Sequence, residues 1–298
     1  MDWITMSEVA ANIEDASIKK TREYIRFREA TELEFRVACW GSVSSIMVES
    51  HQDYVAVKTL TGELAQQGIP IVAGGPYMEN GHGVGVQHAA HQGAFEVDPT
   101  LSIGIDLYVP EWNTGENGRI YKWEKLDTKR DKCSPVGYYI KAKTLEDRMM
   151  FMEILSQIFI GFPTFGFGTD FERARMGQIL YYIKTLKAGI PESIFAGTRA
   201  FREFGIPPRI VLIGPYDYCR TLVNQIASTD VTRAWVQNDD CGIFMFYKDI
   251  ESAKQFILKE RDRWRETIIV AGGIPKRYLK GPGSNCFAGP KHHNGNSP

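Results

Sequence analysis

Apolar residues along the chain fall into short unbroken runs separated by longer amphipathic stretches. "FRVACWGSVSS" (35–45), "IPIVAGG" (69–75), "LSIGIDLYV" (101–109), "IFIGF" (158–162), "RIVLIG" (209–214) and "GIFMFYK" (242–248) read as strands, several closed by Gly or Ser. "YYIKA" (138–142) is a further strand candidate. Between them, "YVAVKTLTGELAQQG" (54–68) places Val55, Leu60 and Leu64 at helical spacing. It stops at Gly68, a residue suited to the left-handed position after a helix. "GVQHAAHQGAF" (85–95), "TLEDRMMFMEILSQ" (144–157), "FERARMGQILYYIKTLKAG" (171–189), "YCRTLVNQIAS" (218–228) and "DIESAKQFILKERDRW" (249–264) read as the other helices.

Strands alternating with helices in this rhythm predict an α/β fold. The expected form is a Rossmann-like, doubly wound parallel sheet in three α/β/α layers. The polar segment 111–137 reads as an irregular surface excursion. Residues 1–34 form a charged, helical N-terminal extension, 35–272 a single domain, and 273–298 a Gly/Pro/Asn-rich flexible tail. No internal repeat interrupts this order. The apolar stretch 149–160 is expected either in the core or at a dimer seam, since an exposed helix of that kind invites aggregation.

Composition narrows the function classes. A net charge of −1, from 35 basic and 36 acidic residues, leaves no electrostatic footprint for nucleic acid or an anionic membrane. A phosphate would have to be held by local geometry. The five cysteines, Cys39, Cys133, Cys219, Cys241 and Cys286, form no CxxC pair, which argues against a zinc cage or disulfide framework and fits a reducing cytoplasm. No window supplies the roughly 18 apolar residues that a membrane span needs, and the acidic N-terminus does not read as a signal peptide.

In a doubly wound sheet, ligands sit at the carboxyl ends of the strands. Three of those ends carry small residues here. Gly41 and Ser42 follow the first strand, with Ser44 and Ser45 close behind, and Gly74 and Gly75 follow the second. The fourth ends in "GFGTDFE", with Gly166, Phe167, Gly168 and Thr169 opening a helix. Glycines let a backbone approach a ligand, and free amides at a helix start bind phosphate oxygens. Thr169 and Glu172 also fit a capping box, in which the glutamate serves only its own helix. His88 and His91 lie three apart on a predicted helix, yet no third ligand at metal spacing accompanies them, so no metal site is expected. Cys39 reads as a buried small hydrophobe.

The order "GIPIVAGG…GVGVQHAAHQGA…LSIGIDLYVPEWN…DRMMFMEILSQIFIGFPTFGFGTDFE…QILYYIKTLKAG" resembles the LOG (Lonely Guy) family over roughly residues 35–260. The resemblance implies a phosphoribohydrolase that cuts the base–ribose bond of a nucleoside 5′-monophosphate, of the cytokinin riboside or AMP type. It implies a homodimer or larger homo-oligomer and no cofactor. Carried over, it places the catalytic pair on Arg148 and Glu172 and the phosphate loop on Gly166, Gly168 and Thr169. A carboxylate suits an oxocarbenium-like sugar, and an arginine fork holds a phosphate or bridges substrate to Glu172. Without the resemblance, Arg148 reads as a helix charge paired with Glu146 or Asp147.

The sequence departs from the family loop in three places. Pro163 is followed by Thr164 and Phe165 before Gly166, Met149 stands where lysine is common, and the earlier glycine loop is stretched to "GGPYMENGHGVGV". Either Gly74/Gly75 or Gly83/Gly85 is then the ligand-facing pair. These departures favour an alternative function on the same fold: a protein that holds or senses a nucleotide or phosphorylated cofactor without cutting it.

Overall fold

The computed structural model describes residues 35–41, 47–75, 77–79, 82–115, 118–125, 135–142, 148–149, 151–152, 155–162, 174, 209–214 and 244–270. Strands β1 (Val37–Trp40), β2 (Ile71–Gly74), β5 (Ser102–Gly115), β7 (Tyr138–Ala142), β8 (Ile158–Gly161), β9 (Arg209–Ile213) and β10 (Phe244–Tyr247) pair in parallel in the order β10-β9-β8-β1-β2-β5-β7. From β1 the chain builds outward through β2, β5 and β7, then returns to lay β8 against the other side of β1. It continues outward again through β9 and β10. This is the expected α/β, Rossmann-like doubly wound sheet. The winding reverses between β1 and β8, so the crevice at their carboxyl ends, beside Gly41 and Gly161, is the topological switch point.

Both faces of the sheet are buried, as parallel strands require. Val37, Cys39, Ile71, Ala73, Ile158, Ile160 and Val211 join the core beneath helices α1 (Gln52–Gln66), α2 (Gly85–Val97) and α3 (Ile250–Val270). The alternate residues Ala38, Trp40, Val72, Phe159, Ile210 and Leu212 are buried on the other side, where the Trp40 and Phe159 rings stack with centroids 5.0 Å apart. Residues 148–149, 151–152 and 155 are helical, and Met149, Phe151, Met152 and Leu155 are buried within this one chain. Of the two readings for the apolar stretch, the core is the one observed for these residues.

Helix α1 starts where the His51 side chain accepts from the Asp53 amide at 3.2 Å. It ends before Gly68, whose φ of 70° lies in the left-handed region. Its buried stripe is Tyr54, Val57, Leu60, Thr61, Leu64 and Ala65. Val55, expected on that stripe, is 48% exposed, because the steps from Tyr54 to Val57, Thr61 and Leu64 set the helix face. Helices α1 and α2 meet backbone to backbone at Gly62 and Gly93, where a side chain on Gly93 would collide with the Lys58 carbonyl and the Thr61 hydroxyl.

Two ribbons were not expected. The segment taken for irregular surface is a hairpin in part: the second half of β5 pairs antiparallel with β6 (Gly118–Lys125), from Tyr108 opposite Lys125 to Gly115 opposite Gly118. The loop between β2 and α2 folds into a short antiparallel pair, β3 (Tyr77–Glu79) and β4 (His82–Val84), tied down by a bridge between Val48 and Val84. The predicted helices at 171–189 and 218–228, the extension 1–34 and the tail 273–298 lie outside the described residues, apart from Ala174 as a helical residue. No helix among the described residues is long and apolar enough to cross a membrane.

Candidate functional site

Two described strand ends, β1 at Gly41 and β2 at Gly74 and Gly75, meet the start of α2. Gly85 takes φ of 80°, a conformation that favours glycine, and its amide donates to the Met47 carbonyl at 2.9 Å. Among the described residues no side chain caps α2, whose N-cap position is Val84. The positive end of the helix is thus left beside the strand ends.

The close approach that these glycines permit is made by the protein's own side chains. A β-carbon on Gly41 would strike Val86, one on Gly83 the His88 ring, and one on Gly74 the Arg148 guanidinium. The Gly75 amide donates to Ile105 O at 3.0 Å and the Gly83 amide to the Glu49 carboxylate at 3.3 Å. Gly75, Gly83 and Gly85 therefore spend their amides inside the fold.

Arg148 is delivered from the helical segment before β8 and lies against Gly74. Gln87, in the first turn of α2, joins the two. In the amide orientation that suits both neighbours, its nitrogen donates to Gly75 O at 3.1 Å and its oxygen accepts from Arg148 Nη2. One turn on, fully buried His91 places Nε2 2.8 Å from Gly74 O and Nδ1 2.9 Å from Ser102 Oγ. Residues four apart share a helix face, so Gln87 and His91 form one polar row on the Gly74–Gly75 strand end. Burial holds His91 down to about 4, with the Arg148 charge, and that of His88 when it is protonated, acting in the same direction against the bond to Gly74.

A second polar pair lies beside the β3–β4 ribbon. Tyr54 OH and His88 Nδ1 are 2.6 Å apart and buried. Burial pushes His88 down to about 4, with Glu49 opposing and Lys58 reinforcing, and pushes the Tyr54 phenol upward. With the imidazole neutral, the phenol donates and Nδ1 accepts. Burial also drives the Cys39 thiol up to about 12, leaving it an inert core residue rather than a nucleophile.

Of the residues singled out in the sequence, the fold brings Gly41, Gly74, Gly75, Gly83, Gly85 and Arg148 to one neighbourhood around the start of α2. Ser42, Gly166, Phe167, Gly168, Thr169 and Glu172 lie outside the described residues, as do Ser44 and Ser45. Gln87 and His91 had not been singled out as site residues. Their signal was the spacing of two polar residues on a helix that opens straight from a glycine loop. Among the described residues, no group of three or more His, Cys, Asp or Glu is placed to hold a metal ion.

A groove of about 690 Å³ between α1 and α2 contains none of the strand-end residues. Lys58 and Glu96 in its lining pair with each other at 2.7 Å, and the candidate site is the strand ends, where buried polar groups converge.

No protein-family model and no curated protein matches the sequence. Among solved structures, the chain is similar to the molybdenum cofactor binding protein of Rippkaea orientalis, at 15% identity and TM-score 0.43, over 77% of this chain and 97% of that one. It is also similar to the molybdenum cofactor carrier protein of Chlamydomonas reinhardtii, at 18% identity and TM-score 0.41, over 76% of this chain and 97% of that one. What the site does has to be read from its own side chains.

Proposed function

We propose that the chain binds a small anionic ligand, a nucleotide or phosphorylated cofactor, at the carboxyl ends of β1 and β2 beside the switch point. The observation that carries this reading is Arg148, drawn from a distant segment onto Gly74 and bonded to Gln87 in the first turn of an uncapped helix. A planar guanidinium and a helix N-terminus facing one strand end offer complementary charge to a phosphate. Thermal shift and calorimetry with AMP, GMP, CMP, ribose 5-phosphate and the molybdenum cofactor test it, with bound ligand recovered and checked for integrity. Stabilisation by one of these, with the ligand intact, is the expected result. Arg148→Ala weakens that binding by roughly 10- to 100-fold, the loss of a charge-assisted hydrogen bond. No stabilisation by any phosphate compound removes the proposal.

The phosphoribohydrolase reading is the second proposal, favoured by the arrival of Arg148, the residue that the LOG resemblance makes catalytic, at a strand end. Release of free base from AMP or N6-prenyl AMP, abolished by Arg148→Ala and by Glu172→Ala, supports it. Intact substrate after long incubation with a ligand that does bind decides for the binder. Self-association belongs to both readings, and sedimentation at two protein concentrations measures it.

A further inference from the structure

The contacts around His91 contain one proton fewer than they have places for. The Gly74 carbonyl, 2.8 Å from Nε2, only accepts, so Nε2 carries hydrogen. Ser102 Oγ lies 2.9 Å from Nδ1 and 2.7 Å from Pro135 O, which also only accepts. Neutral His91 and Ser102 supply two hydrogens to these three contacts. If Ser102 donates to Nδ1, two oxygens face each other at 2.7 Å without a hydrogen. If it donates to Pro135, Nδ1 and Oγ face each other lone pair to lone pair. An imidazolium fills all three: Nε2–H to Gly74, Nδ1–H to Ser102, and Ser102 O–H to Pro135.

Positive charge opposes that third proton. Among the described residues, the charged or titratable groups set around His91 are His88 on the same helix and Arg148 from the segment before β8. Strands β2 and β5 contribute carbonyls and the Ser102 hydroxyl. Arg148 and His91 touch the same residue, Gly74, from different elements. An anion on the guanidinium offsets the charge that keeps the imidazole neutral.

We propose that an anionic ligand at the Gly74–Arg148 strand end draws one proton onto His91, so that binding and protonation of this buried histidine are coupled. The inference rests on the binding reading above and deepens it. His91 acts as a positioning residue: it holds the Gly74 carbonyl more firmly when charged and does not touch the ligand. Uptake from solvent supplies the proton, and no bond in the ligand changes. Burial first, and the Arg148 charge behind it, hold free His91 near 4, and an opposite charge nearby raises a histidine by about 1–3 pH units. Affinity for an anion of constant charge therefore rises roughly 2- to 50-fold between pH 7 and pH 5, across that range of shifts.

The test uses the full chain with 15N-labelled histidine, titrated with sodium sulfate, whose charge is constant from pH 5 to 8, and separately with AMP. The expected result is that either probe, at pH 5.5, moves His91 from the neutral to the doubly protonated nitrogen pattern, and that sulfate binds more tightly at pH 5 than at pH 7. Ser102→Ala removes the acceptor for Nδ1–H, so His91 stays neutral on binding in that variant while the probe still binds at pH 8. His91→Gln gives a flat pH profile for sulfate. Binding of either probe with His91 left neutral overturns the coupling and leaves the anion site standing. No response to either probe anywhere in the protein removes the site, and the coupling with it.

Discussion

Gln87 and His91, one turn apart on α2, grip consecutive carbonyls: Gln87 donates to Gly75 O at 3.1 Å and His91 to Gly74 O at 2.8 Å. The helix thereby fixes the strand end on which Arg148 rests.

Gly74→Ala and Gly93→Ala separate binding from stability. At Gly74 the new methyl meets the far end of the Arg148 side chain, which can move aside. The expected cost is about 1 kcal/mol in a denaturation midpoint, with a larger loss in phosphate-ligand affinity. At Gly93 it meets the Lys58 carbonyl, which cannot yield without separating α1 from α2. That substitution costs about 3 kcal/mol or more.

Tyr54→Phe deletes the hydroxyl 2.6 Å from His88 and leaves a buried ring nitrogen without its donor. Such an orphaned group costs about 1–3 kcal/mol. Urea unfolding of the variant at pH 8, where His88 is neutral in both states, measures it without interference from titration.

Acid weakens the fold through two histidines. His88 and His91 are held to about 4 in the folded chain, against about 6.5 when unfolded. The unfolded chain therefore takes up protons first. Stability from keeping both neutral is whole above pH 6.5 and drains away as the pH falls toward 4. The loss is on the order of 3 kcal/mol for each histidine, at 1.36 kcal/mol per unit. Unfolding midpoints at pH 8, 6, 5 and 4 trace the fall, and His88→Gln flattens its share.

Glu260 is a buried carboxylate on α3 between two arginines, 3.4 Å from Arg209 Nε and 3.5 Å from Arg263 Nη1. Glu260→Gln keeps the shape and removes the charge that faces buried Arg209. The expected destabilisation is about 3 kcal/mol. Calorimetric unfolding reads it, and an unchanged midpoint would show that the pair contributes nothing.

Most strands were legible because burial on both faces writes them as unbroken apolar runs, such as Ile71–Gly74 or residues 210–213. The two ribbons were not, since each pairs with its own neighbour in sequence and needs no apolar run. Their signal was the turn: Asn80-Gly81 links β3 to β4, and Asn117-Gly118 closes the loop between β5 and β6. At the strand ends, the glycines accommodate the protein's own side chains rather than the ligand expected of them. Gly41, Gly74 and Gly83 admit Val86, Arg148 and His88. Pairings across the fold, such as His91 with Ser102, leave no mark on local spacing.

The contact of Gly62 with Gly93 leaves α1 and α2 no cushion of side chains at their crossing. Two main chains meet there with no side chain between them, so α2 packs on α1 without any rotamer that could absorb a shift. The reach of Arg148 over Gly74, by contrast, depends on the absence of a single methyl group.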